Sequence, residues 1–196
     1  MAGILKVDRV QSDSNLAFNI AGSNVAFMNA SSLQMVGSNV SLAGTNVITN
    51  GRLVTSGMPV GSVLQVVNSI NTVESSTTST SFTASNLSAT ITPTSTSSKI
   101  LIICNSPLYA PGDNYHIYTT IFKNGTNVSS AELQLFSTGP ATGARWSNGS
   151  MTWFDTPSST SALTYTVYFR SITGGNASYY MTTGQRSIMT LMEIAG

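Results

Sequence analysis

Few side chains in this 196-residue sequence suit catalysis, and their number and spacing limit which chemistry they could do. His116 is the only histidine, so no metal cluster and no catalytic triad can draw on two. It follows Tyr115 at the start of an expected strand, where a solvent-facing or structural histidine is the simpler reading. A glycosidase needs two carboxylates facing each other across a sugar, and the chain has seven acids. Within residues 61–196 only Asp113 and Asp155 lie near aromatic residues. Both sit in turn contexts, Pro111-Gly112-Asp113-Asn114 and Asp155-Thr156-Pro157. Gly174-Gly175 lacks the following lysine and helix of a phosphate loop. Cys104, the only cysteine, ends the apolar run Ile100–Cys104. It reads as a small buried hydrophobe rather than a nucleophile, and it leaves no internal disulfide. No enzyme activity, cofactor or metal site is expected from this inventory.

The aromatic residues are better candidates, for binding rather than catalysis. Trp146 follows Arg145 in the Gly-rich stretch 139–149, and Tyr109 and Tyr115 flank a loop that holds Asp113 and Asn114. Loops carry binding while the scaffold carries stability. An aromatic ring can stack on the apolar face of a sugar while amide, carboxylate and guanidinium groups bond its hydroxyls. Tyr109, Asp113, Asn114, Arg145 and Trp146 are therefore the candidate binding residues for a surface glycan or protein. The competing reading of Trp146 is packing at a subunit interface, where Trp and Arg are also enriched. Trp153 and Phe154 are expected in the core.

The elements that would position these residues are strands. Ser and Thr exceed a quarter of the residues, and charged residues are only 8% with a net charge of +1. So little charge excludes the concentrated basic face of a nucleic-acid binder. An apolar fraction of 41% argues against disorder. No apolar run approaches the roughly 18–20 residues of a membrane-spanning helix, and the first residues lack a signal-peptide core. Synthesis in a cytoplasm without membrane insertion is expected. A surface this poor in charge is weakly protected against edge-to-edge association, which favours a permanent oligomer.

The texture changes near Pro59–Gly61. Before it, Gly-Ser/Thr-Asn-Val recurs from Gly22, Gly37 and Gly44, between apolar runs of two or three residues. Asn and Gly tolerate left-handed backbone, so this segment reads as very short strands and tight turns. Residues 1–60 are expected to form an anchor and β stalk, stacked or intertwined with other chains, against the alternative of an ordinary meander. Residues 61–196 are expected to form an antiparallel sandwich or jelly roll. Its strands are expected near 62–68, 87–92, 99–104, 115–123, 128–136, 150–155, 163–171, 176–181 and 187–195. Leu163, Tyr165, Val167 and Phe169 alternate with Thr164, Thr166, Tyr168 and Arg170, as in a half-buried strand. The runs 100–104 and 187–195 are apolar on both faces and need two coverings. Ile100, Ile102, Met189 and Leu191 are the candidate contacts with a neighbouring subunit. Counting strands puts loops 107–114, 137–149 and 173–176 at one end, and 93–98, 124–127, 156–162 and 182–186 at the other. That count turns on whether 176–181 is a full strand.

Several phrases resemble phage fibre and related virion proteins. Ile4-Leu5-Lys6-Val7-Asp8-Arg9-Val10-Gln11 is similar to their opening, and Pro59-Val60-Gly61-Ser62-Val63-Leu64-Gln65-Val66-Val67 to the hinge before their C-terminal heads. Ile91-Thr92-Pro93-Thr94-Ser95-Thr96-Ser97-Ser98-Lys99-Ile100-Leu101 resembles a turn-then-strand phrase of those heads, and Thr190-Leu191-Met192-Glu193-Ile194-Ala195 their closing strand. The resemblance implies a homotrimeric structural protein of a tailed-bacteriophage virion, either tail fibre or head fibre, made in the host cytoplasm. Its N-terminal segment would dock on other virion proteins. Its C-terminal jelly-roll knob, loosely similar to complement and tumour-necrosis-factor heads, would serve host attachment through receptor-binding residues on its loops. A capsid decoration or cement protein, and a capsular polysaccharide depolymerase, are the alternatives.

Overall fold

Alternation of branched and hydroxyl side chains makes strands here, because each face of a strand meets a different environment. The structure, a computed structural model, describes residues 39–42, 45–49, 52–53, 58–110, 116–137, 143, 145–172, 178–180 and 184–196. The strand expected at 3–10 and the short runs up to Met35 lie outside the described residues. The chain divides into Met1–Gly37 and Ser38–Gly196, and the expected boundary at 60–61 falls within the second unit. Within that unit, the repeat-like stretch contributes β1 (Asn39–Leu42), β2 (Thr45–Thr49) and β3 (Arg52–Leu53). They pair in that order as a small antiparallel sheet.

Two larger antiparallel sheets follow. The first contains β4 (Val63–Asn71), β5 (Ser75–Thr77), β7 (Lys99–Ala110), β11 (Arg145–Asp155), β13 (Ser178–Tyr180) and β14 (Ser187–Ile194). Its order runs β4-β14-β7-β11, with β13 and β5 continuing alongside the far end of β7. The second contains β6 (Thr83–Ile91), β8 (His116–Lys123), β9 (Thr126–Asn127), β10 (Gln134–Ser137) and β12 (Leu163–Ser171). Its order is β10-β8-β12-β6, with β9 on β8. The chain is thus all-β among the described residues. Asn124 and Gly125, at φ 48° and 83°, form the turn between β8 and β9, the Asn-Gly signature of a tight hairpin.

The core lies between the sheets. Leu87, Ile117, Ile121, Tyr165, Val167 and Phe169 from the second sheet meet Ile100, Ile102, Cys104, Met189 and Leu191 from the first, all at 0% exposure. Each such side chain contributes about 1.5–3 kcal/mol by leaving water. Burial pushes the Cys104 thiol up to about 12, as expected of an inert core cysteine.

This burial corrects one expectation. Ile100, Ile102, Met189 and Leu191 are covered by the facing sheet of their own chain, so their side chains reach no subunit surface. The second apolar face of the same strands is the one turned outward. Phe154 is also not core: it is 49% exposed, while its neighbour Trp153 packs on the core. Adjacent strand residues take opposite faces, and only the Trp153 face of β11 is turned to the second sheet.

Strand lengths differ as well. The ladder between β7 and β11 is unbroken from Ile100–Asp155 to Ala110–Arg145, so the expected loops at 107–110 and 145–149 are strand. The strand expected at 128–136 is limited to 134–137. β13 and β14 are both antiparallel to β7, so they run in the same direction. In the count of strands across the sandwich they stand as one. Residues 184–186 therefore sit toward the Tyr109–Trp146 end of β7 rather than at the end expected for 182–186, and the C-terminus finishes at the opposite end.

Candidate functional site

The end where the chain enters this sandwich is closed by hydrogen bonds. Pro59-Val60-Gly61-Ser62 is a turn, with Gly61 at φ 90° and Ser62 N donating to Pro59 O at 3.1 Å. Gly61 N donates to Ala195 O, and Ala195 N to Ser62 O, both at 2.8 Å. The hinge-like phrase and the closing strand thus meet edge to edge. Glu193, buried beside them, accepts from Gln65 Nε2 at 2.6 Å, Thr94 N and Oγ1 at 2.7 Å and Ser98 Oγ at 2.6 Å. Desolvation pushes its carboxyl up, but the bonds from Ser98, Gln65 and Thr94 outweigh that and hold it below the usual glutamate range. A hollow of about 360 Å³ beside this network is lined by Met58, Leu64, Ser/Thr residues and the terminal Ala195-Gly196. Its setting is structural: these groups tie 92–98 to the first and last long strands, β4 and β14, at this end.

The opposite end carries the aromatic pair. Trp146 on β11 stands directly across from Tyr109 on β7. Their ring centroids are 4.5 Å apart at 40°, and Trp146 remains 56% exposed. Tyr179 takes the register position beyond Tyr109 on β13. One hollow adjoins Trp146, and a second adjoins that hollow. One, about 250 Å³, is lined by Trp146, Pro107, Asn148 and Gln185; the next, about 230 Å³, shares Pro107 and Asn148 and adds Asn105, Ser150 and Arg186.

The hollows have a topological cause. β14 pairs with β7 only up to Asn105, and β13 pairs from Leu108 onward, so Ser106 and Pro107 face a gap on that side. Proline lacks an N–H and is tolerated where no neighbouring strand asks for one. Ser106 Oγ and Ser187 Oγ, both buried, are hydrogen-bonded across the gap and hold the start of β14, with Arg186 just before it, against β7.

Of the candidate residues, Tyr109 and Trp146 are brought together, as strand partners rather than loop neighbours. Arg145 is exposed but lies across from buried Ala110, on the other face of β11 from Trp146. Asp113 and Asn114 lie outside the described residues. Asn148 and Gln185, which sequence reasoning missed, line a hollow with Trp146, and Arg186 lines the hollow beside it. The period-2 spacing of Trp146 and Asn148 was the available signal.

The remaining polar clusters are structural. Asp155 Oδ2 accepts from Lys123 Nζ at 2.8 Å and from Tyr165 OH at 2.6 Å. Burial, and then the Asp155 carboxylate, push the Tyr165 phenol upward. Arg170 lies over Tyr118 at 4.7 Å and Phe82 at 5.4 Å, and donates to Glu132 Oε1 at 2.6 Å. Among the described residues no three of His, Cys, Asp and Glu form a metal-binding group.

The outer face of the first sheet is apolar toward the hinge end. Val66, Met192, Leu101 and Phe154 occupy one row across β4, β14, β7 and β11, with Val63 and Ile194 in the next. Val66 is 56% exposed and Lys99 Nζ lies 5.7 Å above the Phe154 ring. No protein-family model matches this chain, and no curated protein matches it.

Proposed function

We propose that this chain is a structural virion fibre of a tailed bacteriophage, with residues 1–60 as anchor and stalk and residues 61–196 as a trimeric jelly-roll knob for host-surface attachment. The virion reading comes from the phrases at the start, hinge, turn and closing strand. The observation that carries attachment is polarity along the head: Gly61 and Ser62 are bonded to Ala195 at one end, and the exposed Tyr109–Trp146 pair lies at the other. A head fed through the first end presents its aromatic end outward. The jelly roll is supported by the chain's passage between sheets, β4 to β6 to β7 to β8 and β11 to β12 to β14. The trimer is supported by the four-strand apolar row, because obligate interfaces resemble a core cut in half. Three copies of one weak site, repeated over a particle, raise avidity by roughly two to four powers of ten.

The same apolar row favours a second reading, a decoration or cement protein whose sheet face is buried in a capsid lattice. Soluble full-length protein added to host cells should compete with particles for adsorption. Undiminished adsorption, together with fragile particles when the protein is deleted, would replace attachment by the cement reading. A depolymerase would instead release sugar from host glycans.

A further inference from the structure

We infer that the groove beside Trp146 takes an acidic saccharide, with one sugar ring on the exposed face of Trp146 and a carboxylate on Arg186. Tyr109 packs against the indole, which stays more than half exposed. A flat, rigid ring so supported is a platform for the C–H face of a pyranose. The two hollows, about 250 and 230 Å³, meet at Pro107 and Asn148, so they offer successive positions along a chain rather than one deep pocket. Their walls present amides from Asn105, Asn148 and Gln185, which both donate to and accept from hydroxyls.

Arg186 sets the charge of the ligand. It is the one charged side chain lining either hollow, and no acid among the described residues is paired with it. A guanidinium fork fits a carboxylate bidentately. The same residue argues against a second copy of the chain as occupant. Closing the groove with another protomer would bury Arg186 without a counter-charge among the lining residues, which is costly. The apolar half of the sheet face has no such obstacle. The inference deepens the attachment reading, and rests on it only for where the saccharide comes from.

The test uses full-length protein, its tryptophan emission and calorimetric titration, with oligogalacturonate as the acidic probe and maltohexaose as the neutral one. Oligogalacturonate should bind, change the emission and weaken as salt is raised. Trp146→Ala should abolish that emission change, with Trp153 still present as an internal reporter. Arg186→Gln should weaken oligogalacturonate at least about tenfold, as for a lost charge-assisted bond, and leave maltohexaose unaffected. No binding of oligogalacturonate, or equal binding by Arg186→Gln, overturns the inference. So does loss of the oligomer in Trp146→Ala, which would make the groove an interface between copies. Labelled protein on host cells separates the two readings. Cell binding that survives both substitutions sinks the saccharide groove and leaves attachment standing; saccharide binding without any cell binding does the reverse.

Discussion

Tyr109 and Trp146 are 37 positions apart in the chain, yet directly opposite on β7 and β11 with ring centroids 4.5 Å apart. Such pairs contribute about 0.5–1.5 kcal/mol beyond the area they bury. Tyr109→Ala and Trp146→Ala should therefore show a coupling of that size in a double-mutant cycle by denaturant unfolding. Additive effects would mean that the rings touch without supporting each other.

The two faces of β14 and β7 should respond oppositely to substitution. Leu191→Ala and Ile102→Ala remove buried core and should cost about 2–5 kcal/mol. Val66→Asp and Phe154→Asp change outward residues and should leave the fold's circular dichroism intact while dissociating the proposed trimer. Sedimentation at micromolar concentration reads the second effect. A stable monomer for the unaltered protein would remove the proposed trimer.

Glu193 should make the hinge end acid-sensitive. Its folded carboxyl is held below the ordinary glutamate value, so its contribution is complete above that value, about 4.3. It is lost as pH falls through the folded value, once the carboxylate takes a proton in the native state. Glu193→Gln should cost about 1–3 kcal/mol at neutral pH, because one acceptor oxygen becomes a donor facing donors. The gap in Tm between the two proteins should narrow below about pH 4. A gap independent of pH would show that charge has no part in this network.

Cys104 gives the alkaline counterpart. Its thiol stays protonated in the fold up to about 12 but ionises earlier in the unfolded chain. Above the unfolded value the native state holds more protons, so stability should fall with rising pH until about 12. Thiol reagents at neutral pH should label it only at the rate of opening of the core. Rapid labelling of the native protein would contradict its burial.

Local pattern was enough for the class of the fold. Leu163, Tyr165, Val167 and Phe169 are inside and their even-numbered neighbours are not, because a strand's side chains alternate whatever the sheet. The turn residues Pro59–Gly61 and Asn124–Gly125 were legible for the same local reason, since each demands backbone that few residues adopt. The two apolar faces of Ile100–Cys104 and 187–194 were also visible in the sequence, but not which face the facing sheet would cover. That depends on which sheet each strand joins, a long-range matter, and it moved Ile102 and Leu191 into the core and left Val66 and Phe154 outside. The site was half legible: residue type singled out Tyr109 and Trp146, while their Gly-, Ser- and Pro-rich surroundings suggested loops. Pairing partners decided otherwise, because a ladder that begins at Ile100–Asp155 continues in register through Pro107 to Ala110. The groove itself arises where β14 gives way to β13 beside Pro107, and it brings Gln185 to Trp146 across 39 residues of chain, with Arg186 in the adjoining hollow. No local pattern records that meeting; only the order of strands in the sheet produces it.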